Sequence, residues 1–278
     1  MSGINSMMFA NNNPAVAAGG DSFSAQTVTL LHFEGANLSS TFTDNGKGNV
    51  GSGYTWYNPN GYGTISTIDK KFGSSSFYYS RADSQQGAGL YLYPTVTTGQ
   101  SAGTVPAEWL PNGDHTIEWW GWHSTETVVC PYGLGPAKYN FLNINGIMTI
   151  EYSVTGNYTT GAGGTGYNSI DFNLTSYRSG WHHYAIVRSS NALKVFVDGT
   201  ALTGTNVQGG SGGQTTFFQG GNMGIGTHTT GAMLEIAGLG GQYHDYGFRK
   251  SFMDEFRYTT AARYTANFTA PTAAFTNP

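Results

Sequence analysis

The segment Trp181–Leu202, WHHYAIVRSSNALKVFVDGTAL, constrains the fold more than any other part of the chain. Two runs of β-type residues, His182–Arg188 and Leu193–Val197, flank Ser189-Ser190-Asn191, whose short polar side chains favour a turn. Asp198-Gly199 supplies a second turn, because glycine takes positive φ freely and aspartate tolerates it. The segment therefore predicts a three-strand antiparallel meander. Alternation sets Trp181, His183, Ala185 and Val187 on one face and His182, Tyr184, Ile186 and Arg188 on the other. The second set is mixed in polarity. The expectation is that it faces outwards, while Trp181, Ala185 and Val187 join Val195 and Val197 in a core against a second sheet.

The rest of the chain fits an all-β protein. It carries 41 Gly, 18 Tyr and 16 Phe, a composition of glycine turns joining aromatic strands. Further strands are expected over Thr27–Phe33, His115–Trp122, Phe141–Ile144, Met148–Val154, Ile170–Leu174 and Ser251–Tyr258, with a Cys-Pro-Tyr-Gly loop at Cys130 and a helical turn near Thr260–Tyr264. In HTIEWWGW, Ile117 and Trp119 alternate with Glu118 and Trp120, so one indole points inwards and the other outwards.

Three blocks of this sequence resemble the laminin-G-like, concanavalin-A-like lectin jelly rolls. The first is WHHYAIVR followed by LKVFVDGT; the second is ISTIDKKFGSSSF (Ile65–Phe77). The third is MDEFRYTTAARYTANFTAPTAAF (Met253–Phe275). LLHFE at Leu30–Glu34, with Phe42-Thr43-Asp44, extends the resemblance over most of Thr27–Phe275. It implies a concanavalin-A-like β-sandwich (jelly roll) of two antiparallel sheets. The KFG-small-small-aromatic and ARYT-x-NFT-x-P blocks together resemble those of structural proteins of tailed phages, often marine ones.

The expected domain organisation is an N-terminal arm, residues 1–26, and a jelly-roll domain, residues 27–278. The arm is polar and short of branched residues. It reads either as a disordered tail or as a docking segment that orders on a partner through Ile4, Met7, Met8 and Phe9. It lacks the basic start and apolar run of an ordinary signal peptide, and nowhere does the sequence reach the ~20 apolar residues of a membrane span. The net charge of −4 offers no basic patch for nucleic acid. Cys130 is the single cysteine, so no internal disulfide forms.

Two loops offer contact surfaces. GSGYTWYNPNGYG (Gly51–Gly63) presents Tyr54, Trp56, Tyr57 and Tyr62, which either stack on a sugar or a neighbouring subunit or fold over their own sheet edge. The glycine-rich stretch Gly238–Tyr246 adds Tyr243, His244 and Tyr246. The turn Thr43–Asn49 has oxygens that could hold Ca²⁺ through Asp44, Asn45 and Asn49, although it lacks the EF-hand spacing. The competing reading is a turn capped by Asp or Asn.

Enzymatic motifs fail on context. Gly161–Gly166 fits GxGxxG without a following helix, and Gly209–Gly213 fits GxSxG inside a glycine loop. A glycosidase on this fold would set paired carboxylates about 5 Å apart on one strand face. Glu118 has no acidic neighbour at 116 or 120, and Asp254 and Glu255, being adjacent, are expected on opposite faces. His182 and His183 likewise diverge, and read as core or hydrogen-bonded histidines. Asn37, Asn157, Asn173 and Asn267 head Asn-x-Ser/Thr sequons that matter only on a secretory route.

The expected function is thus non-enzymatic. The resemblance implies a phage virion protein, capsid- or tail-associated, made in the host cytoplasm and needing no obligatory cofactor. Its partners would be other virion proteins and copies of itself. The alternative is a tail adhesin that binds a host surface glycan, with glycoside hydrolysis a distant third.

Overall fold

The computed structural model describes residues 21–51, 53–58, 61, 63–79, 90–91, 106–109, 113–123, 130–134, 139–144, 146–153, 167–190, 192–209, 234–238 and 251–278. The described strands, in chain order, begin with β1 (Thr27–Leu31), β2 (Gly63–Ser66), β3 (Ser76–Tyr79), β4 (Leu90–Tyr91) and β5 (His115–His123). They continue with β6 (Cys130–Leu134), β7 (Tyr139–Ile144), β8 (Ile147–Ser153), β9 (Tyr167–Asn173) and β10 (Trp181–Ser189). The last are β11 (Ala192–Val197), β12 (Thr200–Ala201), β13 (Gly204–Gly209), β14 (Leu234–Gly238) and β15 (Ser251–Thr259). Among the described residues no helix is long and apolar enough to cross a membrane.

These strands form two antiparallel sheets. One has eight strands in the order β12-β11-β10-β5-β15-β3-β2, with β1 also paired to β15; the other has seven, in the order β13-β9-β8-β7-β6-β14-β4. The expected jelly-roll sandwich is therefore present. Cys130–Leu134 is not a loop but strand β6, because Leu234–Gly238 pairs with it. No helical turn forms at Thr260–Tyr264, which belongs to an extended tail.

The core between the sheets takes Ile117 and Trp119 from β5, Tyr184 and Ile186 from β10, and Val195 and Val197 from β11. Met148, Ile150 and Phe172 reach it from the opposite sheet. Trp119 stacks on Tyr184 with ring centroids 5.2 Å apart, as the in-out alternation of β5 predicts.

The face assignment of β10 is the reverse of the expectation. Tyr184 and Ile186 point into the sandwich, while Ala185 and Val187 join Phe196 in a second apolar cluster on the outer face. The tail after β15 covers that cluster with Ala262, Tyr264 and Phe268. Trp181 shares this outer face and is only half-buried. A strand covered on both sides carries apolar residues at every position, so alternation alone cannot tell its faces apart.

The domain also begins earlier than Thr27. Asp21 pairs with Arg257 at 3.0 Å and with Arg263 at 2.5 Å, and Thr260 N–H donates to the Gln26 carbonyl at 2.9 Å. The last six residues of the presumed arm are thus part of the sandwich, held by the two guanidinium groups that need their carboxylate. Ile4, Met7, Met8 and Phe9 lie outside the described residues.

Candidate functional site

The glycine-aromatic loop folds back on its own sheet. Trp56 is only 3% exposed, and its indole N–H donates to Asp44 Oδ2 at 3.0 Å. Its ring meets Trp109 edge to face at 5.8 Å, and Trp109 stacks on Tyr258 at 4.3 Å. The Tyr54 hydroxyl bonds to Glu108, and its ring packs against the core. Of the two readings of this loop, Trp56 and Tyr54 follow the one in which it folds over its own sheet edge. Tyr57 is half-buried. Tyr62, Tyr243, His244 and Tyr246 lie outside the described residues.

Asp44 explains why the loop folds this way. Oδ1 accepts from the backbone N–H of Leu30 at 2.9 Å and Gly46 at 2.8 Å, while Oδ2 accepts from Tyr54 N–H at 3.2 Å and the Trp56 indole. A carboxylate surrounded by four N–H donors is a hydrogen-bond hub, and those donors point positive charge at the oxygens a cation would use. Asn45 spends its backbone N–H on the Leu30 carbonyl. Asn49 lies in the single helical turn Gly48–Gly51, and its side chain is outside the described residues. These are the hydrogen bonds of an Asp-capped turn.

The chemistry-bearing residues gather instead beneath the tail. Glu118 is fully buried and sits at the centre of a polar network. Oε1 accepts from Arg257 Nε at 2.8 Å and pairs with the Arg263 Nε at 3.2 Å, and Oε2 accepts from the Tyr264 hydroxyl at 2.8 Å. His183 Nε2 lies 3.2 Å from Oε2. Burial alone would raise the Glu118 pKa, but the Arg257 and Arg263 charges and the His183 contact outweigh it and hold the carboxyl well below the usual range. With Asp21 on the two arginines, the network holds two carboxylates and two guanidinium groups, so the buried charge balances.

Asp254 and Glu255 lie on this same outer face, contrary to the expectation that they diverge. Glu255 has φ +54°, and the pairing of β15 with β5 shifts register between Asp254 and Arg257. This β-bulge turns Glu255 round, because the extra residue breaks the two-residue alternation. Glu255 accepts from Phe275 N–H at 2.8 Å and contacts His32 Nδ1 at 2.8 Å. Burial disfavours a charged His32 ring, but the hydrogen bond and charge of Glu255 prevail and raise its pKa. Asp254 Oδ2 accepts from Lys71 and Phe72 N–H at 2.9 and 3.0 Å, while its buried Oδ1 has no partner among the described residues. Burial therefore pushes Asp254 up to about 7, with the N–H donors of Lys71 and Phe72 restraining the shift and the Glu255 charge adding to it.

These contacts give the resemblance blocks a physical meaning. The KFGSSS segment docks on MDEF through Asp254 and on LHFE through Glu34, which accepts from Ser74 N–H at 3.0 Å. Gly73 is required there: at φ +59° a Cβ would overlap the Glu34 carboxylate. The Asp198-Gly199 turn has positive φ at both residues, and a Cβ on Gly199 would overlap the Phe268 carbonyl of the tail. Asp198 in turn accepts from His183 N–H at 2.9 Å and contacts His182 Nδ1 at 2.6 Å, so both histidines are hydrogen-bonded as expected. Sequence reasoning missed Asp21, Arg257, Arg263 and Tyr264. Arg263 and Tyr264 lie within the ARYT block, and the three charged residues are among only 28 Asp, Glu, Lys and Arg in the chain.

Chemically, the arrangement holds charge in place and seals a sheet face; its carboxylates are covered and already engaged. The class of protein that this fold defines is an all-β sandwich of two antiparallel sheets. No protein-family profile matches the chain, and no curated protein matches it. Among solved structures it is similar to the binding domain of Paraclostridial Mosquitocidal Protein 1, with TM-score 0.51 and 9% identity over 87% of this chain and 50% of that one. It is also similar to the botulinum neurotoxin serotype D/C VPI 5993 binding domain, with TM-score 0.51 and 10% identity over the same shares. A third is the binding domain of botulinum neurotoxin DC in complex with rat synaptotagmin II, again with TM-score 0.51, 10% identity and shares of 87% and 50%. The chain spans about half the length of these structures, and at such identities the likeness establishes the fold alone.

Proposed function

We propose that the chain is a non-enzymatic binding module, used for attachment or assembly. The observation that carries this reading is the fate of its carboxylates. Glu118, Asp254 and Glu255, the groups a glycosidase on this sheet would need, are all 1% exposed or less and bonded to the tail, the KFG loop or neighbouring strands. The likeness to structures described as binding domains, one of them in complex with rat synaptotagmin II, supports the same direction.

In its finer form the reading rests on the resemblance of the KFG and ARYT blocks to tailed-phage proteins. The module is then a virion component made in the host cytoplasm, working through contacts with other virion proteins and its own copies, and needing no cofactor. The second reading, a tail adhesin that grips host glycan, is favoured by the part-exposed aromatic side chains on the outer sheet face.

Immunogold labelling of phage particles, paired with sedimentation of the chain on host envelopes, tests this reading. Labelled particles or co-sedimentation are expected. Neither of these, together with release of reducing sugar from β-glucan that Asp254→Asn abolishes, overturns the proposal.

A further inference from the structure

Four successive strands of the eight-stranded sheet each place one aromatic residue in a single row on its outer face. The register aligns Trp181 on β10 with Trp122 on β5, Trp122 with Phe252 on β15, and Phe252 with Tyr78 on β3. The rings touch: the Phe252 centroid lies 6.3 Å from Trp181, 5.8 Å from Trp122 and 4.8 Å from Tyr78. Phe252 is buried at the centre of the row, whereas Trp181, Trp122 and Tyr78 stay half-exposed. Two other parts of this face are closed by the chain itself. The tail lies over Ala185, Val187 and Phe196, and Phe72 and the Lys71 ammonium lie over Trp120.

The rim of the row carries polar groups that no other described residue bonds. The Trp181 indole donates to Asp69 Oδ1 at 3.1 Å, which fixes its ring. Among the described residues, Asp69 Oδ2, the Trp122 indole N–H and the Tyr78 hydroxyl have no hydrogen-bond partner. Large aromatic side chains gain most when buried, and a Trp N–H or Tyr O–H within a packed structure normally finds a partner. Apolar rings beside two polar donors and a carboxylate acceptor suit a ligand with an apolar C–H face edged by hydroxyl groups. That is the chemistry of a pyranose ring. Rings set on adjacent strands, about 4.8 Å apart, also have a pitch that linked pyranose units can follow. A phosphate-bearing ligand fits poorly, because Asp69 is anionic and the nearby Lys71 ammonium rests 3.9 Å above the Trp120 ring.

We propose that Trp181, Trp122 and Tyr78, with Asp69 at the rim, form a platform for an oligosaccharide of equatorially linked pyranose units. The proposal rests on the reading of the chain as a binding module and assigns that module a ligand class and a surface. The rings stack on the sugar C–H face, Asp69 Oδ2 accepts from a sugar hydroxyl, and the Trp122 N–H donates to one.

Cellohexaose and chitohexaose, titrated separately into the full chain and followed by tryptophan fluorescence and calorimetry, test it. Binding of at least one hexamer is expected, about tenfold weaker in Trp122→Ala, the scale set by one lost stacking contact. Tyr78→Phe and Asp69→Asn each weaken it several-fold without moving the melting temperature, which separates ligand contact from folding. Equal affinity in the wild type and all three variants overturns the platform but leaves the binding-module reading intact. Failure of the wild type to bind either hexamer also overturns it. So does loss of particle or envelope attachment in Trp122→Ala without any sugar binding, since the row would then be a protein contact. Absence of attachment and sugar binding together removes the broader reading as well.

Discussion

Replacing Glu118 by Gln keeps the shape of the side chain and removes its charge from the middle of the sealed network. Arg257 donates to Oε1 at 2.8 Å, Arg263 forms an ion pair with it at 3.2 Å, and the two arginines are no more than 6% exposed. With Glu118 neutral, Asp21 alone must balance two buried guanidinium groups. Breaking a buried pair by removing one partner costs about 3–5 kcal/mol, because the remaining charge stays desolvated. For a domain of this size each kcal/mol shifts the melting temperature by about 2–4 °C, so Glu118→Gln should melt about 6–20 °C lower. The pH profile gives an independent check. The folded pKa of Glu118 lies below its unfolded value of about 4.3, so its contribution is complete above that pH and is lost as pH falls through the folded value. Urea titrations between pH 7 and pH 3 should therefore show an acid-side loss in the wild type that is blunted in Glu118→Gln. A combined Glu118→Gln, Arg263→Met variant should lose less than the sum of the single changes, since both act on one network. A cost below about 1 kcal/mol, the scale of a surface ion pair, would refute the reasoning.

Other perturbations probe separate parts of the structure. Asp254 has a folded pKa of about 7, above its unfolded value, so this group lowers stability as pH rises from about 4 to 7. Asp254→Asn should remove that slope and, at pH 8, stabilise the fold by about 1–3 kcal/mol; a less stable variant at pH 8 would contradict this. Gly199→Ala puts a Cβ at φ +78° against the Phe268 carbonyl and should cost about 1–3 kcal/mol while making the tail protease-sensitive; wild-type proteolysis kinetics would count against the tail contact. Asp44→Ala leaves four N–H donors without their acceptor and should cost about 2–4 kcal/mol. In the wild type, millimolar calcium should leave the melting temperature unchanged, and a rise would restore the calcium loop.

Strands such as β5, β10 and β15 were legible in the sequence because their alternation is local, whereas β6 read as a loop. The meander Trp181–Leu202 needed only its own turns, and Asp198-Gly199 forms the tight turn its residues predict. The faces of β10 were not legible, because both Tyr184–Ile186 and Ala185–Val187 are apolar pairs. What distinguishes them is Phe268 and Tyr264, some eighty residues further along the chain. Trp56 looked like an exposed stacking residue since nothing near it in sequence announces that Asp44 accepts its N–H. The bulge at Glu255 gave no signal either: glutamate at positive φ breaks local preference, and only His32 and the tail account for it. Asp21 ends a polar stretch, and its role appears only once Arg257 and Arg263 are brought against it.

The position of β15 has a consequence for how the molecule assembles itself. This strand comes last in sequence yet lies inside the eight-stranded sheet, bonded to β5 on one side and to β3 and β1 on the other. Thr27 pairs with Thr259, so closure of the sheet joins residues at opposite ends of the domain. Until Ser251–Thr259 leaves the ribosome, β12-β11-β10-β5 and β3-β2 are two half-sheets with bare edges at β5 and β3. Such non-local pairing folds slowly, and unpaired edges invite association with other chains. A nascent or truncated chain stopping short of Ser251 is therefore an aggregation-prone intermediate, and yield in a host cell should depend on how quickly the final strand is made and inserted.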